Sequence, residues 1–178
     1  RLQADWVREL GKRQDWAQFD LEWAKLSAAE PESDLNCYRL QSRLASHDIN
    51  ALRTARSLWL SDKSLPEPCN PVFDAMFDNG LLSEADIWNR LRMALEANSI
   101  DLATALTRRL PSNAGITDRM IRQVADNPSK QWNRFNLQSK GGIELTLYAL
   151  QRLARSNPDD GARNLESIDQ YLKDEDRR

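Results

Sequence analysis

The side chains able to do nucleophilic, proton-transfer or metal chemistry are few in this sequence. It holds one histidine, His47, and two cysteines, Cys37 and Cys69, far apart along the chain. A structural zinc site takes four ligands, usually Cys and His at close spacing, so no metal is expected. His47 precedes Asp48 near the end of an expected helix, where an imidazole acts as cap or dipole partner. No nucleophile-elbow sequence accompanies it. The 6 Gly are scattered at turns rather than gathered into a phosphate-cradling loop, and no cofactor is expected.

Carboxylates alone can run glycoside chemistry. Glu22, Glu84, Glu96, Glu144 and Glu166 all fall in helical patterns among polar neighbours, so each is expected on a solvated helix face. A catalytic acid needs burial or like-charge neighbours to hold its proton, and none of these residues is assigned that role.

Aromatic side chains are the remaining candidates. Trp6, Trp16, Trp23, Trp59 and Trp88 lie at or beside apolar positions of helices, which points to core packing. Trp132 differs. It sits with Asn133, Arg134, Phe135 and Asn136 in a polar-aromatic segment suited to a ligand face, and Trp132, Arg134 and Phe135 are the candidate ligand contacts. An Asn-rich loop between helices would explain the same residues.

The elements that must position these residues are helices. Leu2, Trp6 and Leu10 share a face before Gly11; Trp16, Phe19, Trp23 and Leu26 repeat it before Pro31. Cys37, Leu40 and Leu44 mark a third helix, and Leu52, Ala55, Leu58 and Trp59 a fourth. Pro66, Pro68 and Pro71 interrupt the pattern, with Asn70 as expected cap and Pro71 as first helical residue. Asn79-Gly80 reads as a left-handed stop and Ser83 as the next cap. Ile87, Leu91, Ala94 and Leu95 follow, then Ile100 to Leu110, then Ile116 to Val124 closed by Asn127-Pro128. After Gly141-Gly142 come Ile143, Leu147, Leu150 and Leu153 on one face of a strongly amphipathic helix. Pro158 opens the last helix, through Leu165, Ile168 and Leu172.

Such short helices are marginal alone and must stack on neighbours. The expected fold is therefore all-α: a curved superhelical array, or solenoid, of short antiparallel hairpins forming a single domain over residues 1–178. Composition agrees, with 40% hydrophobic and 29% charged residues. The net charge of -2, without a basic stripe, argues against nucleic acid, and no segment is apolar enough for a membrane span. Cys37 in a helix and Cys69 in the Pro-rich loop could be two buried thiols or a bridge. Both ends read as interrupted helical sequence, from Arg1-Leu2-Gln3 to Lys173-Asp174-Glu175, as expected of a piece of a longer protein.

One stretch carries a resemblance. Ala55 to Pro66, followed by Cys69-Asn70-Pro71-Val72-Phe73-Asp74, is similar to the superhelical domain of the periplasmic soluble lytic murein transglycosylases. Ile87 to Ala97, Leu102-Ala103 and Arg109-Leu110-Pro111 fit as well, as does Cys37-Tyr38 upstream. Asp62 and Asn98 stand where Gly is usual, and Asn70 where Asp is; Asn and Asp tolerate the turn geometries of Gly.

The resemblance implies a parent enzyme that cleaves the MurNAc–GlcNAc bond of peptidoglycan to give 1,6-anhydromuramoyl ends. Its single catalytic Glu would lie in a separate lysozyme-like domain, in a Glu-Ser preceding Gly-Leu-Met-Gln. Here Glu166-Ser167 runs into Ile168-Asp169-Gln170-Tyr171, so Glu166 does not inherit that role and the catalytic domain is expected outside this sequence. The resemblance also implies a periplasmic setting, a Cys37–Cys69 disulfide, and contact with glycan strands as part of the parent. The competing expectation is a stand-alone helical-repeat adaptor for a protein partner.

Overall fold

The computed structural model describes residues 2–26 and 32–173; the expected stop at Pro31 and the polar tail from residue 174 lie outside them. The described residues are all-α, with no strand. In chain order they form α1 (Leu2–Lys12), α2 (Trp16–Trp23), α3 (Ser33–Ala45), α4 (Asn50–Trp59), α5 (Asn70–Asp78), α6 (Glu84–Glu96) and α7 (Ile100–Thr107). Next come α8 (Asp118–Asp126), α9 (Pro128–Gln131), α10 (Lys140–Ser156) and α11 (Pro158–Ile168). Single 3-10 turns span Glu67–Cys69 and Asp169–Tyr171. The chain divides into two compact units, Arg1–Ser83 and Glu84–Arg178.

Short connections follow from how the helices end. Gln14, His47, Gly80 and Asn98 all adopt the left-handed conformation, with φ of 57°, 61°, 68° and 56°. In each case paired backbone bonds close the helix: Asp48 N–H to Arg43 O and His47 N–H to Leu44 O end α3, satisfying carbonyls that the helix itself leaves open. The Asn79-Gly80 stop appears as expected, and Asn98 holds the left-handed position after α6. His47 is a cap through its backbone.

In the first unit α1, α2 and α3 enclose Val7, Leu10, Phe19, Leu35 and Tyr38, with Trp16, Trp23 and Leu26 packed at the margin. Trp59 is buried between Phe73 and Phe77, edge-on to both at 5.1 and 5.3 Å. Each such side chain contributes roughly 1.5–3 kcal/mol on burial. Trp6 departs from expectation. It is 45% exposed and Leu2 is 88% exposed, because α1 turns Val7, Leu10 and Gly11 inward instead. A Cβ on Gly11 would lie 2.5 Å from Cγ of Tyr38, so the missing side chain is what admits the ring.

The Pro-rich segment also differs in detail. Asn70 is the first residue of α5 rather than its cap, since the 3-10 turn at Glu67–Cys69 runs directly into the helix.

In the second unit α10 packs against α6, α8, α9 and α11. It is not one-sidedly amphipathic: residues from Gly141 to Ala149 point in all directions and nearly all are buried. The glycine pair does not precede this helix but forms its first turn, capped by Ser139 Oγ accepting from Gly142 N–H at 3.0 Å. A Cβ on Gly142 would meet the backbone oxygen of Asn136 at 1.9 Å, and one on Gly141 the backbone of Ala114 and Gly115. Gly141 N–H donates to Ala114 O, which ties the helix start to the preceding loop.

Candidate functional site

Of the five glutamates considered for chemistry, the structure singles out Glu144. Its side chain is only 3% exposed, not on a solvated face, because α10 has neighbours on every side. Arg92 of α6 donates from Nε to both carboxylate oxygens, at 3.1 and 3.2 Å, and from Nη2 to Oε1. Both carboxylate oxygens are thus occupied as acceptors by a forked guanidinium, whereas a catalytic acid must offer a proton to its substrate. Nearby, Tyr148 O–H donates to Asn98 Oδ1 at 2.6 Å, and Gln151 and Arg155 donate to Glu96 O. Burial raises the Tyr148 phenol above its ordinary range, against the opposing charges of Arg152 and Arg155. These contacts join α10 to the end of α6. Glu84, Glu96 and Glu166 are exposed, and Glu22 forms an ion pair with Lys25.

Arg90 of α6 is another buried charge, 3% exposed. Burial, and then the neighbouring Arg109, bring its guanidinium down to about 10, so it stays cationic at neutral pH. Among the described residues there is no group of three His, Cys, Asp or Glu able to hold a metal ion. None of the described helices is long and apolar enough to cross a membrane.

The polar-aromatic segment follows α9. Trp132 is half-buried against the cluster of Ile143, Leu150, Ile168 and Leu172; Phe135 is half-buried and Arg134 exposed. Beside that cluster runs a groove of about 600 Å³. Its floor is Ile143 and Leu172, and its walls carry Gln138, Lys140, Gln170 and Tyr171. Lys140 also lies over the ring of Trp88, 5.6 Å from its centre. The groove thus offers an apolar floor, a 40% exposed tyrosine ring, two amides and two lysines, Lys140 and Lys173, so that apolar, hydrogen-bonding and cationic groups meet at one place. Trp132, Arg134 and Phe135 do not line this groove, and sequence reading did not single out Gln138, Gln170 and Tyr171, which do. Their only signal is that they flank helix ends, and pairing the two ends requires the fold.

Cys37 and Cys69 are joined, with Cα atoms 4.9 Å apart, and both are fully buried. The bridge fixes the Glu67–Cys69 turn to α3, and Gln41 Nε2 donating to Pro68 O at 2.6 Å reinforces it.

No family model matches the chain. It is 27% identical to the soluble lytic murein transglycosylases of Escherichia coli and Salmonella typhimurium over 128 residues, 72% of this chain and 20% of theirs. The chain therefore spans about a fifth of the length of the relatives it matches. An inactive mutant of lytic transglycosylase Slt from Pseudomonas aeruginosa matches in structure over 97% of this chain and 28% of its own, with TM-score 0.68 and 28% identity. The 70-kDa soluble lytic transglycosylase of Escherichia coli matches over 98% of this chain and 29% of its own, with TM-score 0.70 and 22% identity. The chain is homologous to the soluble lytic murein transglycosylases and shares the all-α fold of their helical superhelical domain.

Proposed function

We propose that this chain is the non-catalytic superhelical domain of a periplasmic soluble lytic murein transglycosylase, and that it holds glycan strands for a catalytic domain elsewhere in the parent. That parent cleaves the MurNAc–GlcNAc bond of peptidoglycan and leaves 1,6-anhydromuramoyl ends. The observation that carries this reading is the structural match over 97% of the chain at 28% identity, to a lytic transglycosylase more than three times as long. The buried glutamate among the described residues supports it too, since Arg92 engages both oxygens of Glu144.

In this reading the glycan-facing residues are Trp132, Arg134 and Phe135, with the adjoining groove whose wall bears Tyr171. Sugar rings lie on aromatic faces while the amides of Gln138 and Gln170 take hydroxyl or acetamido groups. The test is co-sedimentation of the purified chain with isolated murein sacculi, with turbidity recorded in parallel. The chain should pellet with sacculi without clearing them, and Arg134→Ala should weaken pelleting while leaving the melting temperature unchanged. Clearance by this chain, or no sedimentation above that of an unrelated helical protein, would overturn the proposal.

A further inference from the structure

Of the asparagines in the sequence, Asn79 alone precedes a glycine, while Asn70, Asn127 and Asn157 precede prolines. A backbone nitrogen can attack the side-chain amide of the residue before it, provided that it carries a proton to lose and no side chain crowds it. A prolyl nitrogen fails the first condition, and a glycyl nitrogen meets both. We propose that Asn79-Gly80 is a site of self-modification, at which the Asn79 amide turns into aspartate and isoaspartate at a rate set by opening of the end of α5. The Gly80 nitrogen gives its proton to solvent base and bonds to Cγ of Asn79. The bond from Cγ to Nδ2 breaks, ammonia leaves, and a five-membered imide remains. Water opens that ring at either carbonyl, giving aspartate or, with the main chain rerouted through the side chain, isoaspartate.

Exposure and space favour the reaction. Asn79 and Gly80 both face solvent, and a Cβ on Gly80 would meet nothing within 4 Å. The folded cap opposes it. Asn79 sits at ψ of 8°, and the ring can close only after its peptide plane turns out of that helical setting. Asn79 Nδ2 donates to Ala75 O at 2.8 Å, Gly80 N–H to Phe77 O at 3.0 Å and Leu81 N–H to Met76 O at 2.9 Å. Beyond the turn, Arg56 Nη1 of α4 donates to Leu81 O at 2.6 Å. These bonds keep the attacking nitrogen and the amide apart, so the reaction waits on a local opening that breaks them. Asn98 shows the contrast: its Oδ1 is held by Tyr148 O–H, and the side chain of Ser99 crowds the nitrogen that follows.

Either product weakens the cap that delayed it. Aspartate puts a carboxylate against Ala75 O, where an amide donor stood, and beside Asp78 at the negative end of the α5 dipole. Isoaspartate lengthens the main chain by one carbon, which takes Gly80 and Leu81 N–H out of register with the carbonyls of Phe77 and Met76. The helix so loosened carries Phe73 and Phe77, which flank the buried ring of Trp59. The chain therefore holds a slow, one-way route to a less stable first unit, whatever the parent enzyme binds.

Incubation of the whole chain in mildly alkaline buffer, with peptide mapping by mass spectrometry and isoaspartate detection, tests the assignment. Asn79 should convert ahead of every other asparagine, and faster as pH rises. Arg56→Ala, which releases Leu81 O, should speed conversion by about fivefold, the worth of one hydrogen bond that favours the closed cap. The chain unfolded in urea should convert faster than either folded protein. Aged wild-type protein should melt lower than fresh protein, while Asn79→Gln, whose longer side chain closes a ring less readily, should keep its melting temperature through the same incubation. An Asn79 that stays intact while the unfolded chain converts, or conversion led by another asparagine, would overturn the proposal. Equal rates in folded and unfolded chains, or in the wild type and Arg56→Ala, would overturn it as well, by removing the dependence on α5.

Discussion

Arg92 and Glu144 stand 52 residues apart in sequence, yet the guanidinium of one engages both carboxylate oxygens of the other at the α6–α10 contact. The carboxylate is 3% exposed and the guanidinium 27%. Removing one member of such a pair strands the other charge in a poorly solvated place. Arg92→Ala should therefore destabilise the protein by about 3–5 kcal/mol, near the lower figure because Arg92 reaches solvent. Replacing both residues by Met and Leu should recover most of that loss. Urea unfolding of the three proteins checks it, and a single variant as stable as the wild type would refute the burial described here.

The disulfide closes a loop with a sequence separation of 32. Restricting an unfolded chain by a loop of that size is worth about 3–4 kcal/mol in the chain-entropy model. Thermal unfolding with and without reductant should show a clear fall in the melting temperature, and the Cys37→Ser/Cys69→Ser double variant should match the reduced protein and ignore reductant.

Acid should loosen the first unit through Asp34. Burial would raise its carboxyl, but the hydrogen bonds from Arg8 and Leu35 N–H and the Arg8 charge outweigh it, and the net direction is down. A carboxyl lowered on folding contributes stability above its unfolded value, near 4, and loses that contribution as pH falls through the lower folded value. Stability measured from pH 6 to pH 2 should drop in that acid window, and Asp34→Asn should remove that part of the slope.

Two glycines separate two kinds of constraint. At Gly142 an added Cβ meets a backbone oxygen at 1.9 Å, whereas at Gly80 it meets open space but sits at φ of 68°. Gly142→Ala must shift the start of α10 and should cost about 3 kcal/mol or more. Gly80→Ala should cost only about 1–2 kcal/mol. Equal losses in equilibrium unfolding would contradict this distinction.

Local signals in the sequence place most of the helices, because those signals sit within a few residues of what they control. Pro158 opens α11, Gly80 closes α5, and apolar spacing marks Ile87, Leu91, Ala94 and Leu95 as the inner face of α6. What was not legible depends on neighbours. Trp6 has a core-like spacing, yet Gly11 and Val7 decide which side of α1 faces α3. Glu144 looks like a surface residue until α10 is surrounded and Arg92 supplied. The groove beside Trp132 joins residues far apart along the chain, Gln138 with Gln170 and Tyr171. Periodicity within one helix carries no record of such pairings.

The surrounded position of α10 bears on how this protein comes apart. In a linear stack of repeats each hairpin leans on its immediate neighbours, and ends can fray one repeat at a time. Here α6, α8, α9 and α11 all lean on one helix of 17 residues. Each of the four loses a shared neighbour once that helix loosens. The second unit should therefore behave as one foldon, its amides exchanging together with α10 rather than in sequence from the end.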